Sequence, residues 1–319
     1  MNRRLALIQA LFSVVALAAV VWWASRQDAP EIPTGRTAVA WLFGALALYV
    51  VATIVRAERW HRILHATGVD AKRRDSYALT TVGYMGNNVL PARAGEMLRV
   101  VLLSPRTDAR KRTVIGTIVA ERLLDAIALA AIFAVVVIGV LRKSALPSDR
   151  PFLMLGIGAA AAVAVALAVW MLRRHHVVER IREYMRPMAG GPRALLSVEG
   201  VLLLAVSFAI WMLEASVYLS VARALDIPMS GMESFYVVAL TNLFAMIPAA
   251  PGYVGTFDAA VIFGVKAIGD SGSAAVSFLL LLRFMLFVPI TLVGLVLLVT
   301  RYGGWSRLRS AVRLEASRA

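Results

Sequence analysis

The side chains able to do chemistry in this sequence stand inside long apolar runs. One group lies at a break in the run 76–103 and consists of Asn87, Asn88, Arg93, Glu96 and Arg99. An ionisable side chain inside a membrane costs about 3 kcal/mol unless a partner or a ligand compensates it. We therefore expect these residues to bind a ligand or to pair with one another.

A second group opens the next apolar run and consists of Glu121, Arg122 and Asp125. Glu121 and Asp125 are one helical turn apart, so they face the same way, with Arg122 beside them. A half-helix beginning near Ala94 would add free backbone N–H groups. Together the two groups predict a pocket for an anionic headgroup such as phosphate. The alternative is that their three arginines and three carboxylates pair internally and pin the break to the next helix.

The other interrupted run, 233–265, has different chemistry. It contains Asn242 and a Pro/Gly-rich turn but no arginine. Asp258 follows the turn, and Arg283 on the next helix is expected to contact the ligand or to pair with Asp258 or Glu214. Glu214 lies deep in an apolar run, where it is either a proton carrier or an ion-pair partner. Three carboxylates are therefore candidates for proton coupling: Glu96, Glu214 and Asp258.

The composition places all of these groups in a membrane protein. Of the 319 residues, 60% are hydrophobic, which is more than soluble domains carry. Lys and Arg fall in short clusters between the apolar runs, so the formal charge of +15 indicates cytoplasmic loops rather than nucleic-acid binding. The chain has no cysteine and its four histidines lie in basic loops, so we expect no metal site and no thiol chemistry.

The lengths of the apolar runs predict the architecture. The runs long enough to cross about 30 Å of hydrocarbon are 5–25, 37–55, 113–140, 152–172, 197–221 and 274–300. The two interrupted runs consist of pieces too short to span, which predicts re-entrant hairpins covered by protein or water. The arginines of "RAERWHRIL" (56–64) are expected to anchor the second run at the cytoplasmic face.

The distribution of basic residues predicts the topology. The positive-inside rule places both termini in the cytoplasm, with the first hairpin entering from inside and the second from outside. The predicted fold is an all-α polytopic membrane helix bundle. Its predicted parts are one transmembrane domain over 1–319, inverted repeats over 1–140 and 150–300, and a basic cytoplasmic tail over 301–319. Inverted repeats with broken helices are typical of secondary transporters.

Five motifs carry a family resemblance: "RAERWHRIL" (56–64), "NNVLPARAGEMLR" (87–99), "ERLLD" (121–125), "PAAPGYVGTFD" (248–258) and Arg283. In this order they resemble the lysylphosphatidylglycerol synthase transmembrane-domain family of flippase-like proteins, over nearly the whole chain. The resemblance implies a membrane part that flips an aminoacylated phospholipid, with a separate C-terminal domain that transfers the amino acid. We expect this chain to be the flippase half alone. The family's motif positions fall on Asn88, Arg93, Glu96, Arg99, Glu121, Arg122, Asp125, Pro251, Gly252 and Arg283.

The expected function is transport of an anionic or phosphate-bearing lipid (a phospholipid, a polyprenyl-linked lipid or a hopanoid-type lipid) across a bacterial inner membrane. No GxSxG, Walker or metal-binding DxD motif is present, so we expect neither a catalytic site nor a cofactor, and the chain is expected not to be an enzyme. Two alternatives remain: a membrane-embedded lipid-phosphate transferase or hydrolase with Glu121 or Asp125 as base, and a non-transporting scaffold. The expected partners are membrane lipids and a lipid-modifying or glycosyltransferase enzyme in another chain, without nucleic acid.

Overall fold

The computed structural model describes residues 21–22, 25–26, 33–90, 93–143, 198–245, 251–269 and 271–304, without the side chains of 137–143. Within these ranges every regular element is helical, which confirms the all-α prediction. The helices are α1 (Arg36–Ala66), α2 (Arg73–Val89), α3 (Ala94–Thr107), α4 (Lys111–Lys143), α5 (Val198–Ala224), α6 (Gly231–Ala245), α7 (Thr256–Ala267) and α8 (Gly272–Tyr302). A short 3-10 turn, Pro251–Tyr253, lies between α6 and α7.

Helices α1, α5 and α8 are long and apolar enough to cross a membrane, by the length and hydropathy of their described residues. Their bounds match the predicted runs closely except in α1, which continues to Ala66. Residues 1–20 and the predicted run 152–172 lie outside the described residues, as does the tail after 304. The two inverted repeats and the cytoplasmic position of both termini therefore stay predictions.

The first interrupted run folds back on itself as two helices, α2 and α3. Glycines make their close approach possible, because a Cβ on Gly95 would lie 1.9 Å from the carbonyl oxygen of Gly83. Gly86 packs in the same way, with Gly95 Cα 2.6 Å from the position of a Cβ. The second helix begins at Ala94, as predicted, directly after Arg93 in the left-handed conformation (φ 55°). A hairpin therefore forms at the predicted break.

The second interrupted run also forms a hairpin, from α6 and α7. Gly264 on α7 packs against Val237 on α6, where a Cβ would lie 3.2 Å from Val237 Cγ1. The turn between them needs glycine, since Gly252 and Gly255 have φ values of 65° and 87°. The Asp258 carboxylate accepts a hydrogen bond from the Gly255 backbone N–H at 2.9 Å. This contact caps the first turn of α7.

The turns of the two hairpins meet inside the bundle. A Cβ on Gly252 would lie 3.3 Å from the carbonyl oxygen of Asn88, and the Arg93 guanidinium lies 5.5 Å from the Tyr253 ring centroid. Helix α8 runs antiparallel along α2, where the Asn88 amide donates to Thr291 Oγ1 at 2.9 Å. The described residues of the two turns are thus in contact with each other and with α8, as expected where protein covers irregular backbone at membrane depth.

Candidate functional site

A cavity of about 120 Å³, lined by both polar and apolar side chains, lies where the two hairpin turns meet. Its wall is built from the first hairpin, the second hairpin and the helices α1, α4, α5 and α8. The predicted site residues in this wall are Asn87, Asn88, Arg93, Glu96, Arg122, Asp125, Glu214 and Asn242. Residues from two hairpins more than a hundred positions apart in sequence therefore share one site.

Arg122 bridges two carboxylates of the wall. Its Nε lies 3.2 Å from Glu96 Oε1, and its Nη1 lies 3.5 Å from Asp125 Oδ2. The first contact is poorly aligned, so neither Arg122 Nε nor Glu96 Oε1 makes a hydrogen bond to any described residue. Charge attraction is present without full hydrogen bonding. This leaves donor capacity on Arg122 for another anion.

Arg99 and Glu121 lie behind the cavity wall. Arg99 Nη2 donates to Glu121 Oε2 at 2.6 Å, and the Arg99 guanidinium stacks on the Trp60 ring at 3.8 Å. Glu121 is also 3.8 Å from Arg59 Nη2, and Arg59 Nη1 donates to Asp125 Oδ1 at 2.7 Å. These two predicted site residues thus belong to a buried ion-pair network that joins α1, α3 and α4. Of the two alternatives, a pocket for an anion or internal pairing of the charged residues, internal pairing describes Arg99 and Glu121.

Two of the three arginines of "RAERWHRIL" are not simple interfacial anchors, whereas the third, Arg62, is exposed. Arg56 and Arg59 are buried, and Arg56 Nη2 donates to Glu214 Oε2 at 2.8 Å. That expectation was wrong because hydropathy alone does not tell which face of a helix end turns inward. The helical spacing of Arg56, Arg59, Trp60 and Ile63 was the available signal, since positions i, i+3, i+4 and i+7 share one face.

Arg283 pairs with Asp258 and not with Glu214, whose described partner is Arg56. Arg283 Nη1 also donates to the Gly252 carbonyl at 3.3 Å. Its guanidinium lies 4.9 Å from the Phe287 ring centroid. Arg283 therefore fixes the turn of the second hairpin to α8, and it lies outside the cavity wall.

Arg93 differs from the other central arginines in the described part of the chain. The central charged residues are six arginines and five carboxylates: Arg56, Arg59, Arg93, Arg99, Arg122, Arg283, Glu96, Glu121, Asp125, Glu214 and Asp258. Ion pairs with these carboxylates involve each of the arginines except Arg93. Arg93 Nε has no hydrogen-bond partner among the described residues, and neither do Asn87 Oδ1 and Trp211 Nε1 in the same wall. In this central set of described residues the arginines outnumber the carboxylates by one, and Arg93 is the arginine without an ion pair, which suits an anion. No group of three or more His, Asp or Glu among the described residues could hold a metal ion.

The sequence model of the family described as lysylphosphatidylglycerol synthase TM region matches residues 7–294. The chain belongs to this family. It is therefore a membrane protein, in agreement with the apolar lengths of α1, α5 and α8. The family assignment confirms the resemblance carried by the sequence motifs. No solved structure matches the chain.

Two relatives of this family member match most of its length. Glycosyltransferase AglD of Haloferax volcanii is 22% identical over 336 residues, which cover 92% of this chain and 54% of AglD. This chain thus spans about half the length of that relative. A UPF0104 membrane protein of Methanothermobacter thermautotrophicus is 23% identical over 312 residues, which cover 89% of this chain and 92% of that protein. The prediction that the chain is not an enzyme is contradicted by this match, because a relative named as a glycosyltransferase aligns with 92% of this chain.

Proposed function

We propose that this chain moves a lipid with an anionic, phosphate-bearing headgroup across the membrane through the cavity between the two hairpin turns. The observation that carries the proposal is Arg93, whose charge no described carboxylate compensates. Arg93 is partly buried, and a partly buried cation without a partner is stabilised by an anionic ligand that replaces its lost hydration. Membership of a family that is named after the membrane region of a lipid-modifying synthase supports the same substrate class.

The size of the cavity decides which part of the lipid it takes. About 120 Å³ is well below the roughly 300–1,000 Å³ of sites that enclose a drug-sized ligand. The cavity accommodates a headgroup, while the acyl or prenyl chains stay in the bilayer. A phospholipid, a polyprenyl-linked phosphate and a hopanoid-type lipid with a charged headgroup all meet this condition.

Arg93 and Arg122 are the proposed phosphate contacts. A guanidinium can hold two phosphate oxygens at once, which gives both charge and geometry. The amides of Asn87, Asn88 and Asn242 lie in the same wall and offer further donors. When the phosphate arrives, it replaces Glu96 as a partner of Arg122, so the positive charge stays compensated during the exchange.

Glu96 is the best placed of the three carboxylates considered for proton coupling. Glu214 already accepts a hydrogen bond from Arg56, and Asp258 is held by both Arg283 and the Gly255 N–H. Glu96 Oε1, in contrast, has no hydrogen bond to a described residue. Protonation of Glu96 would release Arg122 to the headgroup, and rocking of the two halves would then open the cavity to the other leaflet. In this proposal the membrane is a bacterial inner membrane with both termini cytoplasmic, following the positive-inside rule.

The test is lipid movement in liposomes that contain the purified chain and fluorescent phosphatidylglycerol. We expect movement with the wild type and at least about a tenfold lower rate with Arg93→Gln or Arg122→Ala, since a charged hydrogen bond contributes about 1.5–3 kcal/mol. Arg110→Gln is the matched control, because Arg110 is an exposed arginine between α3 and α4. Absence of movement with the wild type, or an unchanged rate with Arg93→Gln, would contradict the proposal.

A second candidate function is transfer of a group to or from a lipid phosphate inside the membrane. The observation that favours it is the match to Glycosyltransferase AglD. Asp125 is the proposed base, because it lines the cavity, whereas Glu121 lies behind the wall. A lipid turnover assay with the purified chain tests this candidate, and product formation that is lost in Asp125→Asn would support it. A glycosyltransferase in another chain, working on the transported lipid, is the partner proposed if no turnover is found.

A further inference from the structure

A groove of about 390 Å³ lies between the beginning of α2 and the end of α8. The residues that line it are Arg73, Arg74, Tyr77, Ala78, Thr81, Leu297 and Arg301. We propose that this groove is a separate binding site for an anionic phospholipid of the leaflet at this end of the bundle. The inference does not depend on transport through the central cavity.

The groove carries more positive than negative charge. Five arginines and two carboxylates form its described ionic surroundings: Arg62, Arg73, Arg74, Arg106, Arg301, Glu58 and Asp75. Asp75 already accepts hydrogen bonds from Arg106 at 3.2 Å and from Arg301 at 3.4 Å. Each carboxylate is therefore shared between two arginines.

Arg74 is the clearest free donor of the groove. Its side chain is exposed, and its guanidinium has no ion-pair or hydrogen-bond partner in the described part of the chain. Arg73 is also exposed and reaches Glu58 only at 3.3 Å. Arg73 and Arg74 both line the groove, so both can donate to a phosphate group bound there.

The floor of the groove is suited to an acyl chain. Ala78 and Leu297 are apolar, and Leu297 belongs to α8, a helix long and apolar enough to cross the membrane. The arginines lie at the ends of α2 and α8, which places them near headgroup depth. Basic pockets between membrane helices bind anionic headgroups in this way. An acidic protein segment would pair with the arginines but would not use the apolar floor. The sequence 305–319 is itself basic, so it would be repelled by the arginines. A phospholipid complements both parts of the groove.

Close packing separates the groove from the central cavity. Both lie along the seam between α2 and α8, but Gly294 on α8 closes the seam between them. A Cβ on Gly294 would lie 2.4 Å from Met85 Cβ and 3.0 Å from the Thr81 carbonyl oxygen. A headgroup in the groove therefore does not reach Arg93, and the two sites can be tested independently.

The experiment measures binding of short-chain phosphatidylglycerol to the purified chain in detergent, by the shift of its melting temperature as the lipid is titrated. All variants carry Arg93→Gln, so that a failure of the central site does not affect the result. We expect Arg73→Ala/Arg74→Ala to weaken binding about 30-fold, from the effect of two arginines near a phosphate surface. The matched control is Arg110→Ala/Arg112→Ala, which removes two exposed arginines, one directly before α4 and one in its first turn; we expect a change below twofold.

Three outcomes would overturn the proposal. An equal loss of lipid affinity in both double variants would mean that the lipid is attracted only by the general positive charge at this end of the helix bundle. Equal affinity for short-chain phosphatidylcholine would remove the selectivity for an anion, and an equal effect of inorganic phosphate would remove the role of the apolar floor. Because Arg73 and Arg74 are exposed, the lipid-free melting temperature of the groove variant should match that of the control, and an unfolded groove variant is replaced by Arg74→Ala alone.

Discussion

Arg56 on α1 donates a hydrogen bond to Glu214 on α5 at 2.8 Å, across 158 positions of sequence. Both side chains are about nine-tenths buried. In this surrounding of low dielectric constant, the charge of each residue compensates the charge of the other. The Arg56 guanidinium also lies 5.6 Å from the Trp211 ring centroid. This pair fixes α1 to α5 beside the central cavity.

Replacing one partner of this ion pair should destabilise the protein more than replacing both partners by apolar residues. Glu214→Gln leaves Arg56 buried without a counter-charge, and we expect the free energy of unfolding to fall by about 3–5 kcal/mol. Arg56→Met/Glu214→Leu removes both charges and should recover most of the loss. Unfolding in detergent, followed by the melting temperature, measures both variants. A double variant as unstable as Glu214→Gln would show that the ion pair is not the source of the effect.

The first hairpin should not tolerate a side chain at Gly95. A Cβ there would lie 1.9 Å from the Gly83 carbonyl oxygen and 2.5 Å from the Asn87 backbone nitrogen, and backbone atoms cannot move aside cheaply. We expect Gly95→Ala to cost at least about 3 kcal/mol of unfolding free energy, at the upper end for overpacking. Gly44→Ala is the control, because nothing lies within 4 Å of its added Cβ, and it should be neutral or stabilising by roughly 0.5–1 kcal/mol. Equal melting temperatures of the two variants would disprove the close approach of α2 and α3.

Asp258 should contribute to stability through two separable contacts. Its carboxylate pairs with Arg283 and also accepts from the Gly255 N–H. Asp258→Asn keeps an acceptor for the N–H but loses the charge, whereas Asp258→Ala loses both. We expect Asp258→Ala to be about 1 kcal/mol less stable than Asp258→Asn, the usual contribution of a helix cap. The measurement is the difference in melting temperature, and the reverse order would contradict the capping role.

Two glutamates each form ion pairs with two arginines, and burial should make the loss of one glutamate cost more stability than the loss of the other. Glu121 is buried between Arg99 and Arg59, so Glu121→Gln should cost about 3–5 kcal/mol. Glu58 contacts Arg62 and Arg73, whose side chains are 44% and 71% exposed. Glu58→Gln should therefore cost at most about 1 kcal/mol. Urea unfolding of the detergent-solubilised variants compares the two, and similar costs would mean that the Glu121 network is hydrated.

Some of the central site could be predicted from local sequence alone. Arg122 and Asp125 are three positions apart on one helix, and their contact follows from helical geometry. The beginning of α3 near Ala94 follows from the break before it, because Pro91 interrupts an otherwise helical run. These relationships lie within one helix or at one turn, where spacing determines position.

The partners of the buried charges could not be predicted in this way. The sequence left Arg283 with two candidate carboxylate partners, Asp258 and Glu214, and the arginines of "RAERWHRIL" looked like interfacial anchors. The structure turns Arg56 and Arg59 inward, toward Glu214 and Asp125, which lie 158 and 66 positions away. Composition and hydropathy treat every arginine at a helix end alike, so they do not tell which one enters the bundle.

The sequence by itself determined the membrane class, the helical content of the described residues, the position of both breaks and the presence of charge beside the first one. These depend on hydrophobicity, helical periodicity and turn residues, which act over a few positions. Only the tertiary structure decided that the two hairpin turns meet, that Arg283 pairs with Asp258 and that Arg93 has no carboxylate partner among the described residues. The physical reason is that pairing of buried charges depends on which helices touch, and the sequence contains that information only through the packing of the whole bundle.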